Sequence, residues 1–260
     1  MKTVCYFYFF ILMVFTFSCN ESSGDALLDL EGPNAKLELS NAKEIGDLHN
    51  QYLEKLFANF DFSNDNYFSQ LENNYLKIVQ TEFYPNIGSE ILKKRGIDEF
   101  KAINSWNPKT KHIVLEAVGL IYKGLHYDII ETEITKLEDD LEKLILTADE
   151  FNTTLTTLEV LKSSANFWLP VSRDGNGKGY EILINIAYKG KPMKKKRELD
   201  CVDSVIVADG LTAGTGMIVS AFAAALAGGP VGAAAFFGWV GIRAAVASGT
   251  AALLNCGPQE

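Results

Sequence analysis

The sequence predicts a mainly α-helical protein, in which an N-terminal helical bundle precedes a Gly/Ala-rich, disulfide-clamped helical hairpin. Apolar residues from 41 to 168 recur every three or four positions, the period of an amphipathic helix. Glycine and alanine fill half of positions 208–257, and two cysteines, Cys201 and Cys256, lie near the two ends of that stretch. The expected organisation is a signal peptide over 1–18, a flexible tether over 19–40, the bundle over 41–168, a connector over 169–197 and a tail over 198–260.

The overall composition is that of a folded protein with no affinity for nucleic acid. The 260 residues are 47% hydrophobic and 22% charged, which excludes a disordered chain. The net charge is -9, whereas nucleic-acid binding needs a basic face that displaces phosphate counterions. We therefore expect no nucleic-acid partner.

Local signals set the helix boundaries in the bundle. Asn41 and Glu44 form a capping-box pattern at the start of the first helix. Pro108 stands where a first-turn proline is tolerated. The five expected helices cover 41–60, 67–79, 87–100, 108–130 and 134–165.

Two polar patterns resemble ligand sites, but each is better interpreted as a structural feature without a ligand. Glu138, Asp139, Asp140 and Glu142 lie opposite a leucine stripe, which is typical of a solvated helix face. Residues 174–179 alternate Asp and Asn as calcium loops do, but no bidentate glutamate closes the pattern. We expect a flexible connector there, followed over 180–188 by a short strand or a helix.

No catalytic or metal-binding constellation is visible in the sequence. The three histidines, His49, His112 and His126, are far apart, and each is expected on a helix surface or in the core. There is no CxxC motif and no nucleophile beside a base. The sequence therefore predicts neither an enzyme nor a metal or cofactor, and a hydrolase is the least supported class of function.

The N-terminus has the pattern of an export signal. Met1 and Lys2 precede an apolar run over 6–17, about a dozen residues and short of the roughly 20 that span a bilayer. The following Ser18-Cys19 resembles the lipobox of bacterial lipoproteins, in the form common in Bacteroidota. This resemblance implies that Cys19 is lipidated and that the protein is anchored in the outer membrane, exposed at the surface. An ordinary signal peptide cut nearby is the alternative.

Two cysteines are expected to remain for a disulfide. Cys5 leaves with the signal peptide and Cys19 carries the lipid, so the mature chain keeps Cys201 and Cys256. Two cysteines in an exported protein favour one disulfide. The alternative is two unrelated buried thiols.

A basic tract separates the connector from the tail. It includes Gly190 and Pro192, which favour an exposed, extended loop of the kind that proteases cut. Its last residues are Lys194, Lys195, Lys196 and Arg197. We predict a cut between Arg197 and Glu198; a solvated patch that binds lipid headgroups is the alternative.

The tail has the pattern of a membrane hairpin. Arg243 is the one charged residue from 210 to 256. Glycine weakens a helix in water by roughly 1 kcal/mol relative to alanine, but in lipid small residues let helices approach closely. Gly228 and Gly229 begin a turn midway between the two cysteines. Small residues four positions apart recur at Gly210 and Gly214, Gly228 and Gly232, Ala234 and Gly238, and Gly241, Ala245 and Gly249.

Arg243 argues against a lone hairpin that faces lipid on all sides. An arginine near the bilayer centre costs at least ~2.5 kcal/mol. A self-associated tail with Arg243 toward a watery lumen, or a hairpin at the membrane interface, avoids that cost.

The tail resembles small glycine-zipper bacteriocins, and the whole layout is similar to the proteolytically activated antimicrobial lipoprotein toxins of Bacteroidales. Cys19, the tract that ends at Arg197, and the segment from Cys201 to Cys256 carry the resemblance. It implies a lipid-anchored precursor that an Arg-specific, clostripain-like protease cuts, releasing a C-terminal fragment that attacks a target envelope. The alternative function is a non-toxic structural outer-membrane lipoprotein with a membrane-associated tail.

Overall fold

The protein is mainly α-helical, as the sequence predicts. The structure, a computed structural model, describes residues 36–63, 66–78, 81–82, 107–188, 195–216 and 229–256, and within these ranges it contains helices and no strand. The α-helices are α1 (Leu39–Phe57), α2 (Tyr67–Ile78), α3 (Pro108–Ile121), α4 (Tyr127–Glu142), α5 (Ala148–Trp168), α6 (Lys178–Tyr188), α7 (Lys195–Gly216) and α8 (Gly229–Cys256).

Several predictions fall outside the described residues. They are the signal peptide, the lipidation of Cys19, most of the tether, the helix over 87–100, Lys194 and the turn residue Gly228.

The predicted start of α3 is confirmed and that of α1 is wrong. The side chain of Asn107 accepts a hydrogen bond from the backbone N of Lys109 at 3.0 Å, next to Pro108 in the first turn. Helix α1 begins before Asn41, whose backbone N already donates to the carbonyl O of Glu38 at 3.1 Å. Asn41 is therefore inside the helix and does not cap it.

Two expected helices are shorter than predicted. The helix that begins at Pro108 ends at Ile121, and Gly124 takes a left-handed conformation, with φ 67°, before α4 begins. The segment 134–165 breaks after α4 because Thr147 and Glu150 form a capping box that starts α5. Leu144 packs against the core from within the break, so the apolar spacing continues where the helix does not.

The bundle and the tail share one hydrophobic core. Helix α8 packs on α7 and α1, α7 packs on α5, and α1 packs on α5. Tail side chains buried in this core include Val202, Val205, Ile206, Leu211, Phe237, Val240, Ile242 and Leu253. The helices that carry most of the glycine and alanine therefore lie against the bundle.

Glycines of the tail allow these close helix contacts. A Cβ on Gly241 would lie 3.1 Å from the backbone N of His49 in α1. A Cβ on Gly249 would lie 2.9 Å from Cδ1 of Leu71 in α2, and one on Gly210 would overlap the side chain of Leu161 in α5. The small residues thus serve close packing, and their neighbours here are bundle helices.

Gly210→Ala should destabilise the protein by about 1–3 kcal/mol, because the added methyl group forces Leu161 out of its position. Gly119→Ala is the matched control: a Cβ there meets nothing within 4 Å, so this helical position should gain about 0.5–1 kcal/mol. Urea unfolding of both variants measures the difference. Equal stabilities would contradict the tight contact between α5 and α7.

The connector is more ordered than the flexible segment that the sequence predicts. The backbone N of Asn176 donates to the carbonyl O of Asn166 at 2.8 Å, and that of Gly177 donates to the carbonyl O of Leu169 at 3.3 Å. Asp174 and Gly177 adopt positive φ angles of 62° and 76°. The segment over 180–188, left open between strand and helix, belongs to α6.

Candidate functional site

The disulfide predicted from the cysteine count is present in the structure. Cys201, near the start of α7, is bonded to Cys256 at the end of α8, with their Cα atoms 5.3 Å apart. The two helices therefore remain linked to each other independently of the chain over 217–228, which lies outside the described residues.

The backbone of the basic tract differs from the predicted extended loop. Lys195, Lys196 and Arg197 form the start of α7. Gly190 and Pro192, which favoured a loop, precede this helix, whereas Lys, Arg and Glu are good helix formers. The cut before Glu198 stays a prediction, and it now falls close to the N-terminal end of a helix.

Helix α8 contains a segment apolar enough to cross a membrane. Residues Phe237–Leu254 meet the requirement of length and composition, and 67% of that window is buried inside the protein. Arg243 lies partly buried within it. A helix that is apolar on all sides needs either a protein core or lipid around it, and the bundle provides the core.

A buried polar junction joins both tail helices to the bundle. His49 of α1 lies at its centre, with Nε2 3.2 Å from Oδ2 of Asp209 in α7 and 3.1 Å from Oγ of Ser248 in α8. From α5, Ser164 Oγ and Trp168 Nε1 donate to the same Asp209 oxygen, the latter at 3.0 Å. All five side chains are 0% exposed. We call these five residues the polar junction.

The neighbours of His49 fix the orientation of its ring. Asn50 Nδ2 donates to the carbonyl O of Ser163 at 3.0 Å, which fixes the orientation of the amide because a carbonyl only accepts. Asn50 Oδ1 therefore accepts from His49 Nδ1, 2.9 Å away. With the ring held in this orientation, Nε2 faces the Asp209 carboxyl.

Burial opposes the charge on Asp209. It is the largest influence on this carboxyl and raises its pKa, while His49, Ser164 and Trp168 counteract the rise by stabilising the carboxylate. Asp209 Oδ1 has no hydrogen-bond partner in the described part of the chain. The ionised form of Asp209 thus depends on its partners from the bundle.

The polar junction does not have the geometry of a hydrolase site, although it contains Ser, His and Asp. In such sites the carboxylate and the nucleophile face opposite nitrogens of the imidazole. Here Asp209 and Ser248 both face Nε2 of His49, and water has no access to any of them. The arrangement holds helices together.

A second polar contact joins α7 to the connector. Arg173 Nη1 lies 3.7 Å from Oδ1 of Asp203, and both side chains are largely buried. Arg173 also donates from Nε and Nη2 to the carbonyl O of Leu125, at 3.0 and 2.8 Å. Helix α7 is therefore held by buried polar contacts at two positions, Asp203 and Asp209.

The prediction of a solvated acidic face on α4 is wrong for Glu138. Asp139, Asp140 and Glu142 are exposed, but Glu138 is buried against α5. Lys162 Nζ lies 2.8 Å from Glu138 Oε2 and 2.7 Å from an oxygen of Glu159. The spacing of the acidic residues identified the polar face of α4, but it did not identify Lys162 of α5 as the partner of Glu138.

Glu138→Gln should change the pH dependence of stability. Burial, followed by the charge of Glu159, raises the pKa of Glu138 from 4.5 to about 7. The folded protein therefore retains a proton that the unfolded chain loses, so this contribution to stability is lost as pH rises from 4.5 to about 7. Urea unfolding across this range should show a flatter profile for Glu138→Gln than for the wild type.

Asp140 is exposed, so Asp140→Asn is the matched control for that measurement. Identical profiles for Glu138→Gln and Asp140→Asn would contradict the protonation of buried Glu138.

Sequence reasoning missed the polar junction, because its members come from four separate helices. Asp209 is the last acidic residue before the stretch over 210–256, in which Arg243 is the one charged residue, and this was the available signal. An isolated carboxylate in a buried helix needs a partner, but spacing along the chain does not identify it.

Comparisons and metal-ligand patterns give no further assignment. No family model, no curated protein and no solved structure matches the chain. Among the described residues, no group of three or more His, Cys, Asp or Glu side chains is arranged to hold a metal ion. The fold and the polar junction define a mainly α-helical protein in which two disulfide-linked C-terminal helices pack against the bundle.

Proposed function

We propose that the chain is a lipid-anchored precursor of a membrane-active antibacterial toxin, activated by a cut after Arg197. The observation that carries this proposal is the position of α8. This helix meets the length and composition of a membrane span, yet it is packed against bundle helix α1 and tail helix α7. A precursor needs such cover to keep an apolar segment folded in water before it reaches a membrane.

The order of features along the chain is such that one cut divides the anchored part from the tail. The proposed lipid site, Cys19, precedes Arg197, whereas Cys201 and Cys256 both follow it. A cut there would leave the anchor with the bundle, and residues 198–260 would keep their disulfide. Helix α8 and the part of α7 that follows the cut would thus leave as one covalently linked pair.

The close-packing faces of the tail support a membrane or self-associated state after separation. Gly210, Gly241 and Gly249 contact bundle side chains or backbone in the precursor. Once the bundle is gone, the same small residues would be free to pack against lipid or a second tail. Arg243 would then turn toward a watery lumen or the membrane interface, which avoids the cost of facing lipid.

The proposed location is the outer membrane, with the anchored bundle at the surface and the fragment acting outside the cell. The activator is an Arg-specific protease, and the fragment's partner is the envelope of a neighbouring bacterium. Neither an enzymatic activity nor a cofactor is part of the proposal.

A killing assay with matched variants tests this function. The chain from residue 20 to 260, which contains every described residue, is assayed on related bacteria before and after digestion with an Arg-specific protease. Killing should appear after digestion of the wild type and be lost in Arg197→Ala. Lys196→Ala is the control, because it alters the same tract but keeps the bond after Arg197 that the protease cuts.

Three other outcomes would contradict parts of the proposal. Undiminished killing by digested Arg197→Ala would overturn the processing site. Killing by the undigested chain would overturn storage in an inactive form. A correctly cut chain whose isolated, oxidised tail neither kills nor releases dye from anionic lipid vesicles would favour the non-toxic structural lipoprotein.

A further inference from the structure

The contacts that hold the tail do not depend on the bond at Arg197. The polar junction and the contact between Arg173 and Asp203 join α7 and α8 to residues that precede Arg197 in the sequence. We propose that the bundle retains the tail after the cut, and that the polar junction decides this retention. Cutting then prepares the tail for release, and a second step separates the halves. This inference deepens the proposed function and rests on it for its biological meaning.

The apolar contacts between the halves favour retention. Helix α7 packs along α5, and α8 packs along α1, so each tail helix has its own bundle partner. Separation in water would expose the buried faces of both helices, which is unfavourable. The apolar side chains at these faces include Val202, Ile206, Leu211, Val240 and Ile242.

The polar junction makes retention specific, because separation divides it. Asp209 and Ser248 would leave with the tail, while His49, Ser164 and Trp168 would stay in the bundle. As long as the halves remain together, His49 and the Asp209 carboxyl are polar partners of each other in a site closed to water. Removing one member of a buried pair is far more harmful than replacing both by apolar groups. The pair therefore resists any opening that separates α1 from α7.

The halves can be tested without the proposed processing protease. A recognition sequence for a site-specific protease is inserted between Tyr188 and Lys195, and the chain from residue 20 to 260 is cut to completion. Size-exclusion chromatography of a dilution series then measures the dissociation constant of the halves. We expect the wild-type halves to elute together. Separation of the wild-type halves immediately after cutting would overturn the proposal.

Variants of His49 test the role of the junction. His49→Leu should raise the dissociation constant by at least about 100-fold, since it removes the His49 partner of the buried Asp209 carboxyl. His112→Leu is the matched control on an exposed helix face. The double variant His49→Leu with Asp209→Leu should recover most of the loss, because it contains no buried charge at this position. Equal retention by the two single variants would overturn the role of the junction.

A milder pair of variants keeps the test valid if His49→Leu does not fold before cutting. Ser248→Ala removes one partner of His49 without leaving a charge unpaired, and should weaken retention about 5-fold. Ser204→Ala is its control, because Ser204 donates to the carbonyl O of Cys201 within α7. Indistinguishable dissociation constants for these two variants would overturn the role of the junction.

The chromatographic result and the killing result can differ. Halves that stay together and depend on His49, in a protein that never kills, would leave retention standing and remove the toxin proposal. Killing by a cut chain whose halves separate at once would overturn retention and leave the toxin proposal standing.

Discussion

Opening the disulfide between Cys201 and Cys256 should lower the free energy of unfolding by about 4 kcal/mol. The bond closes a ring with a sequence separation of 55 residues. Such a ring restricts the unfolded chain, and on the loop-entropy model this restriction stabilises the folded protein by about 4 kcal/mol. The contacts between α7 and α8 in the folded protein should remain. The loss should therefore appear in the free energy of unfolding more than in the helix content.

Urea unfolding of the oxidised and the reduced wild type is the direct measurement. Reduction keeps both sulfur atoms in place and isolates the effect of the ring. The variant Cys201→Ser with Cys256→Ser should lose somewhat more, because both cysteines are buried and serine places a hydroxyl there. Equal urea midpoints for the oxidised and the reduced protein would show that the ring contributes nothing.

The fold class was predictable because the relevant signals are local. Apolar spacing identified the bundle helices, and Pro108 marks the start of α3 as its residue type predicts. The break between α4 and α5 was missed because Leu144 and Leu146 continue the apolar pattern through it. A capping box at Thr147 outweighs that pattern, since it satisfies two backbone donors at a helix start.

The surroundings of the tail were not predictable from its composition. Helix α8 has apolar residues on all sides, and both a bilayer and a protein core satisfy such a helix. Only the residues facing it decide between them, and these lie in distant parts of the chain. Leu48 and His49 of α1, for example, meet Gly241 across more than half of the sequence. The apolar pattern that predicted a membrane hairpin is therefore equally compatible with the observed helix buried in a protein core.

The polar junction could be anticipated only in part. Asp209 signals a need for a partner, because a carboxylate buried alone is strongly unfavourable. Three histidines and several basic residues were candidates, and helical period does not rank them. Tertiary packing places His49 there, with Asn50 orienting its ring.

The substitution His49→Leu should lower the free energy of unfolding of the uncut chain by about 3–5 kcal/mol. Leucine fills much of the same space but supplies no donor to the Asp209 carboxyl. The carboxyl then has only Ser164 and Trp168 to offset its burial. His112→Leu, at an exposed position, should change stability by less than about 0.5 kcal/mol.

The loss caused by His49→Leu should also depend on pH. Burial raises the pKa of Asp209, and His49 is the largest of the influences that lower it, so the variant raises that pKa further. A group with a raised pKa in the folded state contributes stability in acid that is lost as the pH rises through that pKa. Urea unfolding should therefore show a smaller loss at about pH 5, where Asp209 takes a proton more readily, than at about pH 8. A loss of the same size at both pH values would mean that leucine disturbs packing alone, and that the charge on Asp209 does not need His49.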